Sequence, residues 1–182
     1  MTASQFPKHP FWNYSLKLYG AGGVQRACLE LQDEFGLDVN MVLFCIWAGT
    51  DGPGELTADE LRECIVRTTQ WQSKVVQRLR HIRRMLKQDN LGATDELVAI
   101  LRPEVQQAEL AAEHAEQLLL AGLVPATRAA TGISPALANL RAYMDELGVA
   151  PDGAAGAAVL AVLGPAFPNL SAAQLATQWG TI

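Results

Sequence analysis

Strand patterns are nearly missing from this sequence. No stretch alternates apolar and polar residues with β-branched enrichment, so nothing argues for a sheet. No apolar run reaches the roughly 18 residues that a membrane span needs. The opening MTASQFPKHPFWNYS has no basic segment followed by an apolar run, so no secretion signal is read, and the cytoplasm is the expected location. Without secretion, the glycosylation-type triplets Asn13-Tyr14-Ser15 and Asn169-Leu170-Ser171 carry no meaning. Cysteines are few: Cys28, Cys45 and Cys64 lie among apolar residues without CxxC spacing, which predicts buried reduced thiols.

Catalytic patterns are equally sparse. His9, His81 and His114 are far apart and no Glu-x-x-His occurs, which argues against a ferritin-like di-iron site. GxSxG, HExxH and the phosphate-loop pattern GxxxxGK with a following Ser or Thr are absent. Gly20-Ala21-Gly22-Gly23 follows a helical stretch, not a strand, and so does not read as a dinucleotide loop. The neighbouring acids Asp33-Glu34, Asp59-Glu60, Asp95-Glu96 and Asp145-Glu146 point about 100° apart on a helix and read as caps or solvated faces. No catalytic group, metal or cofactor is assigned, and the reading leans away from an enzyme.

What is present is helical spacing. With 182 residues, 49% of them hydrophobic, the chain suits a single all-α domain with one core. His9-Pro10 opens a helix to Tyr19, and a second runs from Val24 to Phe35, with Gly36 as its C-terminal cap. Asp38 then caps VNMVLFCIWAG, apolar on all sides and too short to span a bilayer, hence a buried central helix. Thr57 with Glu60 forms a capping box for a long helix whose seam runs Leu61, Ile65, Thr68, Gln72, Val75, Leu79, Ile82 and Leu86. A turn near Asp89–Thr94 leads to a helix from Asp95 to Ala121, which Pro103 should kink or restart. Together the two form a long antiparallel helical hairpin. Beyond Gly122 shorter helices are expected at 134–147, 154–164 and 171–179. The chain divides into a helical core over 1–125 and a C-terminal helical extension, packed or loosely attached, over 126–182.

Charge is segregated. Residues 62–88 carry a net +7 and residues 89–182 a net −7, within a chain of −5. The cluster RLRHIRRMLK (78–87) therefore has acids available inside the fold. In the hairpin, Arg78 to Lys87 should run beside Asp95 to Glu104, and Arg67 and Lys74 beside Glu109 to Glu116, an internal charge zipper. Helical geometry prevents all these cations from facing one neighbour, so Arg80, Arg84 and Lys87 remain a candidate anion-binding set. Nucleic acid is disfavoured by the acidic total and the lack of any RNA-binding motif.

Polar residues flanking the central helix stand out: Gln32, Asp33, Asp38 and Asn40. Asp38 reads as a cap. Asn40, at the start of so apolar a helix, needs hydrogen-bond partners, and Gln32, Asp33 or an arginine such as Arg83 are candidates. Trp12, Trp47 and Trp71 read as core or rim residues, with an aromatic ligand pocket as the alternative.

HPFWNYSLKLYG, the run LQD-x-x-GLDVN-x-x-LF-x-x-W, and Trp71 with VVQRLRHIRRMLK resemble a domain-of-unknown-function family of short bacterial, chiefly proteobacterial, proteins over about residues 9–120. The resemblance implies an all-helical cytoplasmic protein and brings no activity. Matching positions include Phe11, Trp12, Gln32, Asp33, Asp38 and Asn40, and further along Trp47, Trp71, Arg83 and Leu86. The leading expectation is a non-enzymatic interaction or adaptor module, with an unknown protein partner or self-association and no membrane. The alternatives are a small-molecule binder or enzyme with a polar, Trp-lined pocket (Gln32, Asp33, Asn40, Arg83), or phosphate or RNA binding through the Arg-rich helix.

Overall fold

Helix α3 (Val39–Thr50) lies at the centre, buried on every side from Asn40 to Gly49. The computed structural model describes residues 6–125 and 131–181, and among them every regular element is helical, with no strand. No helix of the described residues is long and apolar enough to cross a membrane. The fold is the expected all-α bundle with a buried central helix and a long antiparallel hairpin. The division drawn at 125/126 adjoins residues 126–130, which lie outside the described residues.

Local chemistry sets the helix ends. α1 (Pro10–Tyr19) has its proline at the first position, and His9 Nδ1 accepts the Phe11 N–H at 3.2 Å. Phe11 is fully buried against Trp47 and Phe44, with ring centroids 5.1 and 5.4 Å away. α2 (Val24–Phe35) turns Val24, Ala27, Cys28 and Leu31 inward. It stops at Gly36, whose φ of 69° is left-handed, and the Leu37 N–H closes on the Leu31 carbonyl at 3.1 Å. Asp38 caps α3 by accepting the Asn40 N–H at 2.8 Å. The three cysteines are buried and unpaired; burial pushes the Cys28 and Cys64 thiols up to about 12 and raises Cys45 as well, so none is a ready thiolate.

The seam of the long helix departs from its spacing. α4 (Ala58–Trp71) opens on the Thr57–Glu60 capping box, but Gln72–Val76 then forms one π turn before α5 (Gln77–Gln88) continues. A π turn inserts one extra residue, which rotates everything after it by about 100°. Val76 takes the buried place expected of Val75, and Arg80 and Arg83 turn inward beside half-buried Leu79, Arg83 in the place expected of Ile82. Ile82 is consequently exposed. α6 (Asp95–Gly122) is capped by Thr94, which accepts the Leu97 N–H at 3.4 Å. It runs on through Pro103 without restarting; the proline sits on an exposed face, where the unmatched carbonyl one turn back can be hydrated.

The remaining helices are α7 (Ile133–Glu146), α8 (Gly153–Ala166) and α9 (Ala172–Thr181). α7 packs directly on α3, where the two backbones approach so closely that a Cβ at Gly49 would collide with the Ala136 backbone. The Gly132 N–H donates to the Gly49 carbonyl at 2.7 Å. Buried Asn139 donates to the carbonyls of Cys45 (3.2 Å) and Gly54 (3.1 Å) and accepts the Leu56 N–H (2.8 Å), tying α7 to the loop after α3. α8 packs on α2, and α9 is held by Trp179, whose Nε1 donates to the Pro151 carbonyl at 2.7 Å and whose ring lies 4.6 Å beneath the Arg141 guanidinium.

Candidate functional site

Rotation by the π turn carries the basic cluster toward the central helix. Between α1, α2, the start of α3 and the hairpin lies a cleft of about 530 Å³. Its apolar wall includes Trp12, Leu16, Tyr19, Leu29, Leu43 and Leu110. Asp38, Asn40, Gln72 and Gln117 form a polar floor, and Arg80, Arg83, Arg84 and Lys87 line the α5 side opposite Glu109 and Glu113.

Ion pairs fix two of those cations. Arg80 Nε meets Glu109 Oε1 at 2.9 Å and its Nη2 meets Glu113 Oε1 at 2.7 Å, while Nη1 donates to Gln32 Oε1 at 2.5 Å. Arg83 holds Glu109 through contacts of 2.5 and 3.2 Å. These partners sit deeper along α6 than the expected Asp95–Glu104. Side chains lean toward the N-terminus of their own helix, so arginines on α5 reach down the hairpin while Glu109 and Glu113 reach up. Burial alone would raise the Glu109 carboxyl, but hydrogen bonds and charge from Arg83 and Arg80 hold it below the usual carboxylate range. For Glu113 burial wins over Arg80, and its carboxyl is raised.

Beneath the floor is a second network. Asn40 Nδ2 donates to Glu116 Oε2 at 2.7 Å, Gln72 Nε2 donates to the same oxygen at 3.2 Å, and Gln117 Nε2 donates to Asn40 Oδ1 at 2.8 Å. The Asp38 N–H donates to the Tyr143 hydroxyl at 2.9 Å, linking the cap to α7. Glu116 is 0% exposed. Burial, followed by the negative charge of Asp38, pushes its carboxyl up to about 10, so Glu116 is a neutral acid near pH 7. Its Oε2 accepts from two donors, while Oε1 is buried without a hydrogen-bond partner.

The sequence candidates divide into three groups. Trp12, Gln32, Asp38, Asn40 and Arg83, together with Arg80, Arg84 and Lys87, come together on the cleft. Asp33 stands just outside, accepting from Gln32 Nε2 at 2.9 Å and lying 3.6 Å from Arg84. Trp47 is a core residue, and Trp71 spends its Nε1–H on the Ala112 carbonyl at 2.9 Å, pinning the π turn to α6. Trp12 has a further partner, His114, stacked 3.9 Å away at 9°. Missing from the sequence candidates are Gln72, Gln117 and Glu116; the 3–4 spacing of Glu109, Ala112, Glu116 and Leu120 was the available signal that α6 turns acids inward.

Residues 10–120 match the model of a family described as protein of unknown function, DUF2390. No curated protein and no solved structure matches the chain.

Proposed function

Since the chain belongs to the DUF2390 family, whose function is unknown, we propose from the cleft itself that the protein binds a small organic anion with an apolar body. The observation that carries this is the convergence of Arg84 and Lys87, which lie outside the tight ion pairs, with an aromatic wall on one cavity of about 530 Å³, a volume within the range of ligand sites. Arg80 and Arg83 are occupied by Glu109 and Glu113. Arg84 has only Asp33 at 3.6 Å, and Lys87 makes no ion pair among the described residues. An anionic group belongs beside these two. Trp12 and Tyr19 belong to the wall that would receive the ligand's apolar body.

The role is binding rather than catalysis, because the unusual acid, Glu116, is sealed under the floor and held there by Asn40 and Gln72. The test is a thermal-shift and tryptophan-fluorescence panel of aromatic and aliphatic carboxylates and phosphate esters. Ligands should raise the melting temperature of the native protein and not that of Arg84→Glu/Lys87→Glu, each compared with its own unliganded state. Binding that survives this double change would refute the assignment.

A further inference from the structure

Asp33 stands where α2 meets the cationic side of the cleft, and a relay of bonds places it there. Glu109 and Glu113 fix the Arg80 guanidinium, whose Nη1 donates to Gln32 Oε1 at 2.5 Å. With its carbonyl engaged, the Gln32 amide has its nitrogen left for Asp33, and donates to Oδ1 at 2.9 Å. The same Oδ1 lies 3.6 Å from Arg84 Nη2. Hydrogen bonding from Gln32, aided by the charge of Arg84, holds the Asp33 carboxyl below its ordinary value, so it is ionised at neutral pH. The contact with Arg84 is long beside the roughly 2.7–2.9 Å of a charge-assisted hydrogen bond. About half of the Arg84 side chain remains open to solvent.

Resting on the reading of this cleft as an anion site, we propose that Asp33 is its charge filter: the ligand is a carboxylate of single charge, and phosphate monoesters and dicarboxylates are disfavoured. Arg84 and Lys87, three residues apart on one face of α5, are the cations left for a ligand. Arg80 and Arg83 bring no net charge, because Glu109 and Glu113 balance them. Two cations and the Asp33 carboxylate leave one positive charge to be met. A monoanion meets it. The second charge of a dianion beside Arg84 finds no cation of its own and lies close to Asp33, while Asp38 adds a further carboxylate to the lining. Coulomb repulsion scales with the product of the charges, so Asp33 acts on a dianion twice as strongly as on a monoanion in the same place. That proportion is independent of the local dielectric constant. It separates a charge filter from a residue that only holds Arg84 in position.

Calorimetric titration of the full chain at about pH 8 and about 0.1 M salt tests this. The probes share a phenyl ring: 3-phenylpropionate, phenyl phosphate, which is dianionic there, and neutral 3-phenylpropionamide. The native protein should bind 3-phenylpropionate more tightly than phenyl phosphate. Asp33→Asn should tighten 3-phenylpropionate by about threefold to tenfold and leave the amide unchanged. Phenyl phosphate should gain about the square of that factor, roughly tenfold to a hundredfold. Glu34→Gln removes the same charge one residue on, about 100° round α2, and should change each affinity by less than about twofold. A native preference for phenyl phosphate, no gain or equal gains in Asp33→Asn, or the same gains in Glu34→Gln would overturn the filter and leave the anion site standing. If neither anion binds the native chain or Asp33→Asn, the anion site itself falls, and the filter with it.

Discussion

The amide of Asn40 and the carboxyl of Glu116 lie 2.7 Å apart at the bottom of the cleft, joining the first turn of the central helix to the middle of α6. Asn40 is the one clearly polar side chain in the inner part of α3, and it is used on both sides, donating to Glu116 and accepting from Gln117. Replacing it removes both bonds and strands two buried groups. Asn40→Leu should therefore lower unfolding free energy by about 1–3 kcal/mol, the penalty of unsatisfied buried polar atoms. Urea denaturation decides; wild-type stability would disprove the network. Asn40→Leu/Glu116→Leu should recover part of the loss, because the strandable acid is gone as well.

A pH dependence follows from Glu116. Its folded-state carboxyl is raised from an ordinary 4.5 to about 10. Between those values the folded protein holds a proton that the unfolded chain has released, so the contribution is fully present below the lower value and is lost as pH rises toward the upper one. Glu109 acts in the opposite sense: its depressed carboxyl contributes above the unfolded value and loses this as pH falls through the folded one. Glu116→Gln keeps an amide in place of the neutral acid and removes the alkaline slope. Stability of the native protein measured from pH 5 to 9 should fall more steeply than that of Glu116→Gln; parallel curves would rule out a buried neutral acid.

Helix ends and the burial of α3 were legible because each rests on local chemistry: the Thr57–Glu60 box, Gly36 after Phe35, Asp38 before an all-apolar run. The π turn was not. QSKVV contains no glycine or proline to announce it, and it is held by tertiary bonds from Trp71 to Ala112 and from Gln72 to Glu116. Reading the seam straight through placed Ile82 inside and left Arg80 among surface charges, so the depth of the cleft stayed hidden. Asn40 could be picked out because a polar residue in such a helix must have partners, yet its actual partners come from α6, which local pattern cannot place beside it.

Gly49 gives a direct test of how α7 sits on α3. A Cβ there would meet the Ala136 backbone, which has no flexible end to move aside. Gly49→Ala should destabilise by about 1–3 kcal/mol through overpacking, despite alanine's better helix propensity. Gly164→Ala in α8, where a Cβ meets nothing within 4 Å, should be neutral or stabilising by up to about 1 kcal/mol. Equal melting temperatures for the two variants would contradict the close approach.

Arg80 should matter far more than a surface cation. Its side chain is 16% exposed and is shared among Gln32, Glu109 and Glu113. Arg80→Met leaves two carboxylates facing each other without their guanidinium, and a loss of about 3 kcal/mol is expected, toward the lower end for broken buried pairs. Arg80→Lys should rescue little, since an ammonium cannot match the three-way fork. Arg84→Ala, at a contact with Asp33 that is about half exposed on both sides, should change stability by less than about 1 kcal/mol. If chemical denaturation gives similar losses for Arg80→Met and Arg84→Ala, the inward rotation produced by the π turn is wrong.

The same geometry bears on nucleic acid. Of the cations in RLRHIRRMLK, Arg80 and Arg83 are turned inward and paired, Arg84 and Lys87 line a cleft whose opposite wall carries Glu109 and Glu113, and Arg78 is exposed near the start of α5. A duplex phosphate backbone needs several cations spread over one accessible face, whereas here the accessible ones are divided between two flanks of the hairpin. Acids border both flanks, which lowers the attraction further. Any binding to RNA or duplex DNA should therefore be weak and should disappear between about 50 and 200 mM salt, as a few phosphate contacts allow. A filter-binding titration against structured RNA checks this. Submicromolar affinity that persists at physiological salt and is abolished by Arg78→Glu would mean that α5 presents a cationic face to an outside partner, against the pairing seen within the fold.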